Sequence, residues 1–295
     1  QRLPGRHFHR HRPAHGDGRG DDAADLARLG IAYGLFDKAK GGVAGGGRQL
    51  APGQRRALDL QVHHATGQVH PGAVYLHQGE SFVIEELILS DYLALARPEA
   101  PDYSTTPRST TDIRILREAD NLVNYSPGLW VADVEVEVTD RVTGYQVRLA
   151  DGTIGDDIPL DLPEQRLVTR AVAYTIDPMA LSAMGVTASD TPGTLHAAEH
   201  AAIGLLPLIA TCDRWDIGGV STALHADTQL PTVFVYDGHP GGAGFAEEGF
   251  RRFPEWIEAT FEAVRSCPCE SGCPSCVQSP KCGNNNEPLD KAGAA

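Results

Sequence analysis

Long apolar runs are missing from this 295-residue sequence. The longest, Ala201 to Ala210, is broken by Gly204 and Pro207 and is about half the length that a bilayer crossing needs. No apolar signal region opens it, so the chain is read as soluble and cytoplasmic, with no membrane partner. No G-x-S-x-G or G-x-x-x-x-G-K-[ST] occurs, which excludes a nucleophile-elbow hydrolase and a P-loop nucleotide site within these residues. Cysteine is absent before Cys212. A disulfide framework would spread its cysteines along a small secreted chain, so that class is excluded too.

Positive charge is scarce where the sequence is most orderly. Residues 1–60 hold 11 of the 25 Lys and Arg and 6 of the 39 Asp and Glu, a net of +5, which leaves −19 for residues 61–295. Phosphate neutralisation supplies much of the affinity for nucleic acid. The acidic part is therefore not a strong stand-alone DNA binder by charge.

What is there falls into three stretches. Residues 1–67 are dominated by Arg, Gly, Ala, Pro and His, with Ala23 to Phe36 the only short helix candidate. His7, His9, His11 and His15 fit a flexible tag-like tail better than a metal site. This stretch is read as poorly ordered or non-native. Residues 68–185 form a β-rich module. Short apolar runs at Ala73–His77, Phe82–Leu89, Tyr92–Ala96, Thr111–Leu116 and Leu167–Ile176 read as strands. From Leu129 to Val138, Val134, Val136 and Val138 alternate with Asp133, Glu135 and Glu137, the period of a half-buried strand. Thr143-Gly144 signals a turn into Tyr145–Leu149, hence a hairpin. Residues 186–295 form a helix–strand–helix zinc-binding module. Its helices are expected after Thr191-Pro192, through Leu195 to Ala210, and from Phe245 to about Arg265, with a strand at Val233–Tyr236. The fold class is α+β.

The strongest local signal is Cys267-Pro-Cys269-Glu-Ser-Gly-Cys273-Pro-Ser-Cys276. Four thiols within ten residues converge on one ion only through tight knuckles, and Pro268, Gly272 and Pro274 suit such turns. Four thiolates fill a tetrahedral zinc site and leave no position open for catalysis, so the site is expected to be structural, one Zn2+ rather than an iron–sulfur cluster. Cys282 is a fifth candidate for four places, with Cys267 the ligand it would replace. Cys212 stands apart as a small buried hydrophobe.

Three further motifs each carry two readings. Asp237-Gly-His-Pro-Gly-Gly-Ala-Gly244, between a strand and a helix, is either a backbone cradle for phosphate or a crowded turn where only glycine fits. His196-Ala-Ala-Glu199-His200 matches the H-x-x-E-H zinc peptidase pattern, but packing within a helix is expected instead. In Cys212-Asp-Arg214-Trp215-Asp216, a core tryptophan is expected ahead of a base-stacking one.

Taken together, HAAEHAAIGLLPLIATCDRWDIGGVST, VFVYDGHPGGAGFAEEGF and CPCESGCPSCVQSPKCGNNNEPLDK resemble the C-terminal zinc-binding domain of bacterial superfamily 2 DNA helicases of the MrfA and SftH type. Upstream, VHPGAVYLHQGESF and PDYSTTPRSTTDIRIL are similar to the β-rich portion that precedes it there, so the likeness runs in order from about residue 68 to 295. The resemblance implies a part of an ATP-dependent, 3′-to-5′ helicase linked to DNA repair. Its two RecA-like motor domains would bind ATP and Mg2+, and this part would help to guide single-stranded DNA in a monomeric protein. The metal positions carry over onto Cys267, Cys269, Cys273 and Cys276. Candidate DNA contacts are Arg214, Trp215, His239 and Lys281. The Walker A and D-E-x-H motifs of the motor are not in these residues, so the chain by itself is expected to be inactive. A non-enzymatic zinc scaffold for protein docking and the peptidase are the alternatives.

Overall fold

In the computed structural model the described residues are 31–33, 55–59 and 65–295, without 78, 92 and 118–120. The histidines of the first fifteen residues lie outside them. Of the helix candidate Ala23–Phe36 only Ile31–Tyr33 is described, and it is a strand. The chain falls into two compact units, residues 1–102 and 103–295. The boundary expected at 185/186 therefore lies inside the second unit.

The first unit carries a five-stranded sheet of β1 (Ile31–Tyr33), β2 (Arg55–Asp59), β3 (Val74–His77), β4 (Glu80–Ile88) and β5 (Leu93–Pro98), in the order β1-β2-β5-β4-β3. Helix α1 (Ala65–Gln68) precedes β3. Gly79, with φ +82°, turns β3 back onto β4. Phe82 and Ile84 of β4 and Ala94 and Ala96 of β5 alternate onto one face, where they bury Val69 and Ala73.

The second unit is built on β8 (Leu129–Leu149), a strand of 21 residues. The hairpin expected at Thr143-Gly144 is not formed. Gly144 does not adopt the positive φ that a tight turn would need. Its missing side chain instead lets the neighbouring strand approach: a Cβ there would stand 2.6 Å from the Ile158 carbonyl oxygen. The chain reverses further on, at Asp151-Gly152 (φ +84°), into β9 (Ile154–Pro159). The strand order is β11-β12-β10-β8-β6, with β7 (Val123–Ser126) and β9 also pairing with β8. Here β6 is Tyr103–Arg117, β10 Gln165–Ile176, β11 Ile217–Thr222 and β12 Thr232–Asp237. Pro107 sits in β6, the end strand of that order, the kind of strand in which proline is tolerated. The alternation seen in the sequence holds: Val134, Val136 and Val138 are buried with Ile113, Ala171 and Phe234.

Helices α2 (Pro178–Ala183), α3 (Thr191–Leu205), α4 (Phe245–Arg251) and α5 (Phe253–Ser266) complete the unit, so the α+β class holds. Sheet residues Val131, Val172, Val233 and Val235 pack against Leu195, Ala202 and Leu206 of the α3 region and Trp256 of α5. Trp256 is fully buried, and its indole N–H donates to the Ala202 carbonyl at 2.9 Å. The single helix expected from Phe245 to Arg265 is broken at Arg252, because Pro254 occupies the first turn of α5 and has no N–H to continue α4. Strand β11 contains Gly218-Gly219 and reads poorly as a strand. A Cβ on Gly219 would meet Glu199 and Ile203 of α3 at 2.7 Å, so this glycine lets helix and sheet close on each other. Among the described residues no helix is long and apolar enough to cross a membrane.

Candidate metal centre

Helix α5 runs directly into the four cysteines. Cys267, Cys269, Cys273 and Cys276 bring their sulfurs together with neighbouring Sγ atoms between 3.5 and 3.8 Å apart. A tetrahedral zinc with Zn–S bonds of about 2.3 Å sets its sulfurs about 3.8 Å apart, so the cluster has the size of that ion. Gly272, at φ +116°, makes the knuckle, and the Cys273 N–H points at Cys276 Sγ at 3.3 Å. Such an N–H stabilises thiolate. Cys269 titrates below the usual thiol range: burial opposes this, but hydrogen bonds from the thiols of Cys276, Cys267 and Cys273 outweigh it. Lys291 donates to the carbonyls of Cys267 and Cys269 and places a positive charge beside the cluster. The four residues fit zinc, and all four positions of a tetrahedral ion would be filled by protein. Cys276 packs with Ala197 and Ala201 of α3 and Val264 of α5, so an ion held there joins both helices to the C-terminal segment.

Cys282 does not compete for this place; its sulfur lies beside His196 Nε2. Cys212 packs against the core under α3, where burial, with help from the carboxylates of Asp216, Asp237 and Asp213, pushes its thiol up to about 11.

The expectation of a core tryptophan is corrected. Arg214–Asp216 is a single 3-10 turn, closed at its start by Asp213, whose side chain accepts from the Trp215 N–H. That turn throws the indole outward, and Trp215 is 54% exposed. Lys281 lies beneath it, with Nζ 5.3 Å from the ring centroid. The same Nζ donates to the carbonyls of Arg214 and Ile217, and burial pulls it down to about 8 against the pull of Asp216 and Asp213. His239 is half-exposed, with Nε2 3.4 Å from an Asp216 carboxylate oxygen. The structure thus brings Trp215, Lys281 and His239 around one turn, while Arg214 reaches inward toward Gly204.

The Asp237–Gly244 loop resolves in favour of the turn. Asp237 is fully buried at the end of β12, and its carboxylate accepts from the backbone N–H groups of Gly244, Phe245 and Ala246 at 2.7–3.3 Å, and from that of Ala243. The donors that could cradle a phosphate are already occupied by the chain's own carboxylate.

Residues 198–277, which include all four clustered cysteines, match the family model described as MrfA Zn-binding domain. The chain belongs to that family. Among curated relatives it is 31% identical over 216 residues to the uncharacterised ATP-dependent helicase YprA of Bacillus subtilis, across 71% of this chain and 27% of that protein. It is 37% identical over 102 residues to the uncharacterised protein MJ1572.1 of Methanocaldococcus jannaschii, across 33% of this chain and 89% of that one. Among solved structures it resembles the DUF1998 helicase MrfA bound to DNA, with a TM-score of 0.52 and 28% identity over 76% of this chain and 29% of that one. The chain therefore spans about a quarter of the helicases it matches, and corresponds to a zinc-binding accessory region of such proteins.

A zinc-binding domain accounts for the thiolates but not for His196-x-x-Glu199-His200. Both imidazoles project from α3 toward Cys282. Glu199 instead faces the sheet at Gly219. Burial pushes its carboxyl up to about 7, opposed by a hydrogen bond with Ser221 and by His196. The peptidase reading asks this carboxylate to activate a metal-bound water, and its packing against β11 serves the helix–sheet contact instead.

Proposed function

We propose that this chain is the part of an ATP-dependent, 3′-to-5′ superfamily 2 helicase that guides single-stranded DNA during repair. ATP and Mg2+ are handled by RecA-like motor domains of the same polypeptide, and the protein works as a cytoplasmic monomer. The observation that carries this reading is Trp215, an exposed indole on a short rigid turn, backed by the Lys281 ammonium, in a family whose member MrfA has been solved bound to DNA. A tryptophan held this way offers one free ring face to a base. Lys281, whose donors are tied to Arg214 and Ile217, acts by holding that platform. His239 flanks it, while Arg214 is turned away toward Gly204.

An acidic body suits a guide rather than a clamp. Stacking tolerates any sequence and resists salt, whereas phosphate contacts are lost as salt rises. The chain is expected to bind fluorescein-labelled oligothymidylate weakly in anisotropy titrations, with a shallow salt slope, since each phosphate contact adds only ~0.7 to it. Because Trp215 is on the surface, Trp215→Ala should fold normally and weaken binding about 5- to 150-fold, the equivalent of ~1–3 kcal/mol of stacking. A folded Trp215→Ala that binds like the wild type at both low and high salt would remove the platform from the DNA path.

A further inference from the structure

A second set of metal-binding atoms lies outside the four-thiol cluster. His196 and His200, four residues apart, stand on one face of α3 with ring centroids 4.2 Å apart. Each presents Nδ1 to a backbone carbonyl: His196 to Pro288 and His200 to Val277, both at 2.8 Å. A carbonyl only accepts, so each Nδ1 carries the proton and each Nε2 is left as a lone-pair donor. This is the arrangement by which outer hydrogen bonds fix a metal-binding imidazole. The third atom is Cys282 Sγ, 3.4 Å from His196 Nε2 and 3.2 Å from the Asn286 N–H that points at it. One ligand atom from each of the three residues lies within 4.8 Å of the others.

We propose that His196, His200 and Cys282 form a second zinc site, distinct from the four cysteines, with the two Nε2 atoms and Sγ as ligands and the fourth position open to water or an added ligand. The separation of 3.4 Å between Cys282 Sγ and His196 Nε2 has the right size. A tetrahedral zinc with Zn–S of about 2.3 Å and Zn–N of about 2.0–2.1 Å places sulfur and nitrogen about 3.5 Å apart. The protons point the same way. Two imidazole lone pairs and one sulfur face one another, and a neutral thiol has a single proton to share between them. A cation satisfies all three at once. Borderline nitrogen ligands with one thiolate suit zinc, and the open position distinguishes this site from the closed cluster. Such an ion would tie α3 to the segment after Val277, the same segment that the four cysteines tie to α5. This inference is independent of the DNA-guiding reading, since it needs no nucleic acid.

The test is the zinc content of the purified 295-residue chain by plasma emission spectroscopy, with circular dichroism to confirm folding. Two zinc ions per wild-type chain are expected, two in Cys212→Ser, and one each in Cys282→Ser and His196→Ala. Cobalt-substituted Cys282→Ser should keep the visible spectrum of a four-thiolate site and lose the remaining bands of the wild type. His196 is only half-buried, so its variant serves if Cys282→Ser does not fold. One zinc per wild-type chain, or two in a folded variant of either residue, overturns the proposal and leaves the three residues as a hydrogen-bonded thiol–imidazole cluster.

Discussion

Cys273→Ser is expected to empty the four-thiolate site and to loosen the C-terminal part of the second unit. Serine presents a hard, protonated hydroxyl where the ion needs a soft thiolate. Structural zinc in small modules is held with apparent binding energies of ~10–16 kcal/mol, and that energy is folding energy. Here it joins Val264 of α5 to Ala197 and Ala201 of α3 through the knuckle residues Cys276 and Val277. Recovery of even ~4 kcal/mol less stability would lower the melting temperature by roughly 8–16 °C in a unit of this size. Zinc analysis and thermal unfolding should move together, whereas Cys212→Ser should keep its metal and most of its stability. Unchanged zinc and unchanged melting in Cys273→Ser would show that the ligand set is wrong.

The second large effect is expected at a residue with no metal near it. Asp237→Ala removes a buried carboxylate that receives four backbone N–H groups at the start of α4. Leaving buried donors without a partner costs about 1–3 kcal/mol each, and some will recover water, so a net loss on the order of 3–5 kcal/mol is expected. Asp237→Asn keeps the shape and one acceptor oxygen and should lose less. Equilibrium urea unfolding of the three proteins measures this directly. Equal midpoints would mean that the carboxylate contributes nothing, and the loop would return to the list of candidate anion sites.

The two cases mark where the sequence was legible and where it was not. The four cysteines were readable because ligand chemistry and tight spacing constrain one another locally. The strand at Val134, Val136 and Val138 was readable because one face must be dry. Cys282 was ambiguous in sequence because its partners lie in α3, 82 to 86 residues earlier, and only tertiary packing brings His196 and His200 to it. Thr143-Gly144 misled because glycine serves close strand approach as well as turns, and nothing local separates the two uses. Gly218-Gly219 hid β11 for the same reason. The glycines there are small because Tyr236 and α3 press on them, a demand made by distant residues. Trp215 departs from the expectation that a large aromatic is buried, because a one-turn helix with its own Asp213 cap turns it outward. Asp237 carries a signal in the sequence itself: an acid heading a glycine-rich loop before a helix can satisfy that helix.

Photo-crosslinking shows whether single-stranded DNA runs across the Trp215 turn. A single-stranded oligonucleotide carrying bromodeoxyuridine would be bound, irradiated and digested, and the adducts located by peptide mass mapping. A nucleotide adduct is expected on Trp215, in the segment 212–216, and should disappear when unlabelled single-stranded DNA competes. Adducts confined to other segments, with Trp215 unmodified at saturating DNA, would contradict it.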